Sequence, residues 1–144
     1  MANSFKLQIV TPDKLFYEGE VEMVIVRTLT GEEGFMAKHT WATKLLDVGR
    51  TWIREKGSQE LKLASTAAGF IDVRDSVTIF TDAAEWPEEI DVARAEEHKQ
   101  KAEAFLKEHK RTKEEEEEFL KAEASLKKAI TRLKVSSTTG QRKH

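Results

Sequence analysis

The sequence predicts an α+β chain of two domains, an N-terminal antiparallel β-sandwich or flattened barrel followed by a C-terminal antiparallel α-helical hairpin. Three observations indicate this: apolar and polar residues alternate up to Trp86, Pro87 marks a boundary, and beyond it apolar residues recur at steps of three and four. A period of 2 is typical of strands and a period near 3.6 of helices. Proline suits a helix start because its fixed φ and missing N–H cost nothing in the first turn.

The first domain, residues 1–86, contains short apolar runs separated by turn residues. Residues 5–10 alternate strictly, and residues 21–27 form the strongest predicted strand. Between them we expect a short strand at 15–17 that a turn at Glu18 and Gly19 closes. Further predicted elements are a turn at 30–34, a hairpin turn at 56–58, and strands at 51–54, 60–64, 69–73 and 77–81. Strands at this spacing are typical of an antiparallel sandwich or barrel.

Residues 87–135 predict two helices with alanine-rich contact faces. Glu88 and Glu89 begin the first helix and Lys107 lies near its end, which complements the helix dipole. Thr112 and Glu115 have the spacing of a capping box that starts the second helix. The predicted contact faces are Ala95, Ala102, Phe105 and Leu106, and then Phe119, Ala122, Leu126, Ala129, Ile130 and Leu133. Because alanine buries little area, we expect the hairpin to be weakly held and released at small cost.

A polar tail follows the helices at residues 136–144, and we expect it to be disordered because it has no apolar residues with which to pack.

The composition argues against several classes of function. Charged residues make up 35% of the chain but the net charge is only -2, so nothing favours nucleic acid or an anionic membrane as partner. The chain has no cysteine, and therefore no disulfide or thiolate metal site. Its apolar runs are too short for membrane insertion, and residues 1–6 lack the apolar core of a signal peptide. We expect a soluble protein of a reducing compartment, without catalytic residues, because no phosphate loop, metal cluster or triad spacing appears.

Five short motifs occur in a characteristic order: LQIVTP at 7–12, GEV at 19–21, the segment 31–39, GF at 69–70 and IDVARA at 90–95. In this order they resemble the epsilon subunit of the F-type ATP synthase, and the resemblance spans residues 5–135. The chain departs from the family pattern where Ala37 and Trp41 replace the usual prolines, and where Ala68 precedes Gly69 and Phe70.

The resemblance implies a non-catalytic central-stalk, or rotor, subunit of a proton- or sodium-translocating ATP synthase. The β domain would join the gamma subunit to the c-ring, and the helices, when extended, would reach the catalytic alpha and beta subunits and inhibit ATP hydrolysis. The implied location is peripheral, on the cytoplasmic face of the bacterial plasma membrane. The implied contact residues for gamma and the c-ring are Gly31, Glu32, Glu33, Gly34 and His39.

The second helix carries a basic face, which we expect to bind acidic groups of the catalytic subunits. Its members are Lys127, Lys128, Arg132 and Lys134.

The resemblance also implies ATP as a regulatory ligand, although no cofactor is required, since some bacterial members bind it in the folded hairpin. The matching positions are Glu85, Ile90, Asp91, Arg94, Lys128 and Arg132. Nucleotide-binding members carry two arginines where this chain has Lys128 and Arg132. The residues alone allow a simpler alternative, in which Asp91 and Arg94 are an ordinary helix start with an (i, i+3) pair.

Other interpretations also stay open, for the whole chain and for single residues. The chain as a whole is also compatible with a free-standing adaptor, a β-sandwich binding module with a helical hairpin for a partner. His39 has no carboxylate or hydroxyl partner at a recognisable spacing, so we interpret it as a structural or interface histidine. Glu32 and Glu33 are interpreted as solvated turn residues, or, on the resemblance, as residues that face the c-ring. The glutamate run at 114–118 is interpreted as a solvated helix start.

Overall fold

The chain folds into a β domain followed by two helices, which confirms the predicted fold class. The computed structural model describes residues 3–109, 112–138 and 141–143, the last three by backbone alone. The strands are β1 (Phe5–Val10), β2 (Leu15–Thr28), β3 (Gly31–Met36), β4 (Ala42–Leu46), β5 (Gly49–Glu55), β6 (Glu60–Thr66), β7 (Gly69–Val73), β8 (Val77–Thr81), β9 (Ala84–Glu85) and β10 (Gln141–Lys143). The helices are α1 (Val92–Glu108) and α2 (Glu116–Ser137), and a 3-10 turn occupies Pro87–Glu89.

The strands form one sheet that closes on itself. Its hydrogen-bonded order is β1-β8-β7-β4-β2-β5-β6-β10, with β3 also on β2 and β9 also on β6. Because β1 pairs with β2 as well as with β8, the strands β1, β8, β7, β4 and β2 make a ring, as in a flattened barrel. Paired strands run antiparallel except β1 and β8, which run parallel.

The strand β2 is continuous through Gly19, whereas the sequence predicts two strands with a turn between them. Its first half pairs with β1, with Gly19 opposite Leu7, and its second half pairs with β3 and β5. These pairings satisfy the backbone groups of Glu18 and Gly19 within the sheet, so no turn forms. A Cβ at position 19 would lie 2.8 Å from the Tyr17 hydroxyl oxygen, which explains a glycine inside this strand.

The turn predicted at residues 30–34 is instead the start of a strand. The backbone turns at Leu29 and Thr30, and Gly31, with a φ of +126°, opens β3. Gly34 lies within β3, opposite Ile25 of β2. The two glycines therefore differ: the first takes a conformation that favours glycine, and the second is an ordinary strand residue.

Two apolar clusters lie on opposite faces of β2 and β5. The first fills the barrel and takes its buried members from every strand between β1 and β9 except β6, with Val24 and Ile53 among them. The second contains Met23 and Trp52, which neighbour those two residues in sequence and so face the other way. It also contains Leu61 and Leu63 of β6, together with Ile90 and Val135 from the helical region. The helices therefore dock on the outer face of the barrel.

The helix α1 begins at Val92, five residues later than the sequence predicts. Pro87 starts a separate 3-10 turn, in which the Trp86 backbone N–H donates to the Glu89 carboxylate at 2.8 Å. Ile90 is buried in the second cluster with an extended backbone, which interrupts the helical path. Asp91 then caps α1 by accepting a hydrogen bond from the Arg94 backbone N–H at 3.0 Å.

The helix α2 begins at Glu116, also later than predicted. The Thr112 hydroxyl accepts from the Glu115 backbone N–H at 3.3 Å, as in a capping box, but the regular helix starts one residue beyond. The predicted alanine contacts are present, since Ala95, Ala102 and Ala129 are buried.

The disorder predicted for residues 136–144 is not what the structure shows at 136–138 and 141–143. α2 continues through Ser137, because the Ser136 and Ser137 hydroxyls donate to the carbonyls of Leu133 and Lys134. Residues 141–143 form β10, which pairs antiparallel with the edge of β6. Unpaired backbone groups at a sheet edge favour such an addition. The other positions of this segment lie outside the described residues.

Candidate functional site

The contact between α2 and the β domain includes an ion pair between Arg132 and Glu85. The Arg132 Nε donates to one carboxylate oxygen of Glu85 at 2.8 Å and Nη2 to the other at 3.2 Å. Both side chains are shielded, with relative exposures of 19% and 31%. This is the bidentate geometry in which a guanidinium binds a carboxylate most strongly.

The position of Glu85 is fixed by its strand and by the aromatic residue that follows it. Glu85 belongs to β9, where it pairs with Ser65 of β6. The Trp86 ring stacks on Phe16 with 4.6 Å between centroids and meets Tyr17 edge-on at 6.0 Å. Burial raises the pKa of Tyr17, and the hydrogen bond that it donates to Glu55 at 2.7 Å adds to the effect. Tyr17 therefore stays neutral. The contacts of the Trp86 ring with Phe16 and Tyr17 hold the segment after β9 against the barrel.

A second ion pair joins α2 to the loop between β4 and β5. The Lys127 Nζ lies 2.8 Å and 3.1 Å from the two carboxylate oxygens of Asp47. Asp47 also accepts from the Val48 backbone N–H at 2.8 Å, which orients the carboxylate. The hydrogen bond from Lys127 is the main cause that lowers the pKa of Asp47 below its usual range, and the charge of Arg27 acts in the same direction. Asp47 is therefore ionised whenever the hairpin is docked at neutral pH.

The apolar part of the contact is small. Val135 is fully buried against the second cluster, and the buried Ile90 approaches the same cluster from the interdomain segment. The hairpin is thus held by a limited apolar contact and by two ion pairs.

Three of the residues assigned to nucleotide binding lie around one small cavity. Glu85, Lys128 and Arg132 line it together with residues of β6 and of the segment before β9, and its volume is about 90 Å³. The other three do not line it: Asp91 and Arg94 are exposed at the start of α1, and Ile90 is buried among apolar side chains. The Asp91 carboxylate already accepts the Arg94 backbone N–H as a helix cap.

The basic face of α2 is divided by the docking. Lys127 and Arg132 are ion-paired with the β domain, whereas Lys128 and Lys134 are exposed. Helical periodicity instead sorts the four by the side of α2 on which they lie: Lys127 and Lys134 line one cleft on the barrel, and Lys128 and Arg132 line the cavity beside Glu85.

The segment 31–39 forms a cluster that the sequence does not predict. Glu33 binds Lys44 with both carboxylate oxygens, at 2.7 Å and 2.8 Å, and its nearer oxygen to His39 lies 4.0 Å from Nε2. The interpretation of Glu33 as a solvated turn residue is therefore wrong, because Glu33 is ion-paired within a strand. His39 lies near this carboxylate but beyond hydrogen-bond distance. The other ring nitrogen of His39 hydrogen-bonds the Thr40 carbonyl, and its ring lies against Phe35. Glu32 remains exposed.

An apolar groove of about 390 Å³ lies along the paired strands β7 and β8. The rings of Phe70 and Phe80 stack there with centroids 4.8 Å apart, and Pro12 lines the same groove. Gly69 is required beside them, because a Cβ at that position would lie 1.9 Å from the Phe80 carbonyl oxygen. Both rings are more than a third exposed.

Sequence reasoning missed Asp47 and Lys44, which pair with residues already singled out. Asp47 lies between two strands in a segment without periodicity, and nothing local marks it as the partner of Lys127. No helix in the described parts of the chain is long and apolar enough to cross a membrane. Within the same residues, no group of three or more His, Asp or Glu is placed to hold a metal ion.

Comparisons with known proteins agree along nearly the whole chain. Residues 4–87 match the family model described as the beta-sandwich domain of the ATP synthase delta/epsilon chain, and residues 88–137 match that of its long alpha-helix domain. The ATP synthase epsilon chain of Alkaliphilus metalliredigens is 53% identical over 107 residues, 74% of this chain and 78% of that protein. The epsilon chain of Caldanaerobacter subterraneus is 44% identical over 139 residues, 95% of this chain and 96% of that protein.

Among solved structures, a chain in the mitochondrial ATP synthase of Euglena gracilis has the same fold. It superposes with a TM-score of 0.76 at 22% identity, over 91% of this chain and 80% of that chain.

Proposed function

This chain belongs to the family of ATP synthase epsilon chains, and we propose that it is a non-catalytic central-stalk subunit that couples gamma to the c-ring and restrains ATP hydrolysis. Its helices would dock on the barrel in the permissive state and extend toward the catalytic subunits in the inhibited state. The same membership favours this role over a free-standing adaptor. The observation that carries the proposal is the way the hairpin is docked, by a few separable contacts.

The strength of the docking suits a switch. Burying Val135 and Ile90 contributes on the order of 1.5–3 kcal/mol each. The shielded Glu85–Arg132 pair adds about 1–3 kcal/mol, and the more exposed Asp47–Lys127 pair adds less because water screens it. Ordering the interdomain segment offsets part of this gain. The docked state is therefore stable by a few kcal/mol, which a partner subunit can overcome.

Docking and inhibition would use the same cations. In the docked state Lys127 and Arg132 are occupied by Asp47 and Glu85. Once α2 leaves the barrel, these two cations join Lys128 and Lys134 on one free basic face. Acidic groups on the catalytic alpha and beta subunits would then compete with the barrel for α2. The two states exclude each other, and inhibition follows from the position of one helix.

The β domain offers two surfaces for the stalk partners. The exposed Phe70 and Phe80 make an apolar groove, which suits an apolar segment of the gamma subunit. The segment 31–39 presents a mixed surface, with Glu32 and Met36 exposed and Glu33 held by Lys44, which would suit the loops of a c-ring. This arrangement would place the protein peripherally, on the cytoplasmic face of the bacterial plasma membrane.

ATP would act as a regulatory ligand of the docked hairpin. The cavity beside Glu85, Lys128 and Arg132 measures about 90 Å³, below the ~300–1,000 Å³ of ordinary small-molecule sites. Binding therefore requires the Arg132 side chain to exchange its carboxylate partner for phosphate. Arg94 is exposed at the start of α1, where the Asp91 carboxylate caps the helix, so a phosphate there would have to contact the Arg94 guanidinium. A ligand that binds only the docked state stabilises it by mass action.

The test is the ATPase rate of the catalytic head, reconstituted with gamma, in the presence and absence of this chain. We expect the full chain to lower the rate, and a chain ending at Trp86 to bind without lowering it. Replacing the four lysine and arginine residues of the basic face by alanine in the full chain should release hydrolysis in the same way. Equal rates with all three proteins would contradict inhibition by α2. Recovery of neither gamma nor a c-ring in a pull-down under mild detergent would contradict the stalk assignment itself.

A further inference from the structure

A cleft between α2 and the barrel is lined by four cationic side chains and has no assigned ligand. Arg27 of β2 and Arg50 of β5 line it from the barrel, and Lys127 and Lys134 line it from α2. Its volume is about 180 Å³, and Thr131 adds a hydroxyl to the wall. The cavity beside Glu85, which Lys128 and Arg132 line, is adjacent and shares Val48 with the cleft.

The positive charge of this cleft is not balanced by the protein. Glu32, opposite Arg27 in the sheet register, is the carboxylate on the wall of the cleft, and Asp47 pairs with the wall residue Lys127. In the parts of the chain that the structure describes, Arg27, Arg50 and Lys134 have no carboxylate oxygen within 4.0 Å. Four cations therefore face two carboxylates.

The cations are held in place by the fold. The stem of Arg27 lies across Gly49, where a Cβ would come within 2.8 Å of two of its carbons. The Arg50 guanidinium lies over the Trp52 ring, 5.9 Å from its centroid. Docking of α2 brings Lys127 to Asp47 and also brings Lys134 to the cleft that Arg27 and Arg50 line. The approach of Lys134 to these two arginines costs free energy because like charges repel. An anion bound between these cations would make the electrostatic contribution to docking favourable.

We propose that this cleft binds a compact phosphoryl anion, such as inorganic phosphate or pyrophosphate, and that the anion fastens the docked hairpin to the barrel. Two guanidinium groups, an ammonium group and a hydroxyl match the several acceptor oxygens of a phosphoryl group. The volume is below the ~300–1,000 Å³ of ordinary small-molecule sites, so it suits phosphate or pyrophosphate better than a whole nucleotide. The inference rests on the docked arrangement and is independent of any effect on ATP hydrolysis.

The test is calorimetric titration of the full-length chain with inorganic phosphate, pyrophosphate and, in a separate arm, ATP without metal. We expect pyrophosphate to bind more tightly than phosphate, and Lys134→Gln and Arg50→Gln each to weaken pyrophosphate by about tenfold, since each removes one charge-assisted contact. Lys121→Gln is the matched control, because Lys121 is an exposed cation of α2 that pairs with Glu117 outside the cleft. Lys121→Gln should leave the affinity for pyrophosphate within about twofold of that of the unsubstituted chain.

Three outcomes would overturn the proposal. The first is no heat with millimolar pyrophosphate. The second is an equal loss of affinity in Lys121→Gln and Lys134→Gln, which would indicate a diffuse charge effect. The third is a loss in Lys128→Gln together with full affinity in Lys134→Gln, which would assign the anion to the cavity beside Glu85. Circular dichroism checks the fold of each variant. Lys134 is exposed, so its variant keeps the test decisive even where Arg50→Gln disturbs the packing on Trp52.

Discussion

Arg132 and Glu85 join the second helix to the last strand of the barrel through two parallel hydrogen bonds, at 2.8 Å and 3.2 Å. The two residues are 47 positions apart in the chain, and each lies in an element that is fixed by its own packing. The pair therefore forms only when the hairpin is docked. Under the proposed function, Glu85 of the barrel, a nucleotide phosphate and acidic groups of the catalytic subunits would compete for the Arg132 side chain.

Arg132→Lys should weaken docking because a single ammonium group cannot bind both carboxylate oxygens as the guanidinium does. A double-mutant cycle with Glu85→Gln should give a coupling free energy of about 1–3 kcal/mol. The docking equilibrium can be followed by energy transfer between dyes on cysteines introduced into the barrel and α2, since the native chain has no cysteine. Lys128→Ala, an exposed neighbour, serves as the control. A coupling near zero would show that the pair forms without stabilising the docked state.

Acid should release the hairpin through Asp47. Its pKa is lowered in the folded chain, chiefly by the hydrogen bond from Lys127, from a usual value of 3.8. A group whose pKa is depressed on folding contributes stability that is present above the unfolded value and is lost as pH falls through the folded value. Docking should therefore be insensitive to this group above about pH 4 and should weaken at lower pH.

Asp47→Asn is the control for the acid effect. It should reduce docking at neutral pH by about 0.2–1 kcal/mol, because the pair is solvent-screened, and it should flatten the acid limb of the energy-transfer curve. If docking of this variant still weakens at low pH as in the unsubstituted chain, the pH dependence arises from other carboxylates.

Val135→Ala should undock the hairpin without unfolding the barrel. The side chain is fully buried in the second apolar cluster, and the cavity left by two methyl groups costs on the order of 1–3 kcal/mol. The first cluster contains no helical residue, so the thermal transition of the barrel should change little. Leu120→Ala, at an exposed position of the same helix, should leave docking unchanged. A loss of barrel stability as large as the loss of docking would contradict two separable domains.

A chain ending at Trp86 should fold as a cooperative, strand-rich domain. All members of the first cluster lie between Phe5 and Trp86, so the truncation leaves that core complete. It exposes part of the second cluster, including Leu63. If the fragment aggregates, the additional substitution Leu63→Thr makes the newly exposed surface less apolar. It thereby distinguishes aggregation of a folded domain from aggregation caused by unfolding. A fragment that stays unfolded in both forms would show that the helices complete the core. The measurements are far-UV circular dichroism and thermal unfolding.

ATP should bind the isolated chain with weak to moderate affinity. We expect Lys128→Arg to strengthen binding, because a guanidinium replaces a point charge at the phosphates, and Arg94→Ala or Arg132→Ala to abolish it. Calorimetry with ATP on the chain and these variants checks this, with Lys121→Ala as the control. Binding that is indifferent to Arg94 would leave Asp91 and Arg94 as the ordinary cap of α1, as their hydrogen bond in the structure already allows.

The sequence by itself determined the order and type of the elements. The change of period after Trp86 predicted the change from strands to helices. The hairpin turn at 56–58 appears in the structure with Gly57 at a φ of +82° and the Ser58 backbone N–H donating to the Glu55 carbonyl. The alanine-rich faces of the helices were also readable, because helical periodicity depends on neighbours three and four residues apart. These features are local, so a window of the sequence contains the interactions that decide them.

Only the tertiary structure decided where strands continue and which charges meet. Gly19 looks like a turn residue until β1 pairs across it, and Glu33 looks solvated until the fold brings Lys44 and His39 to it. Lys127 and Asp47 are 80 positions apart, and their pairing depends on how far along the barrel α2 lies. Such contacts are set by the docking of preformed elements, and a side chain's distant partner leaves no trace in the periodicity around it.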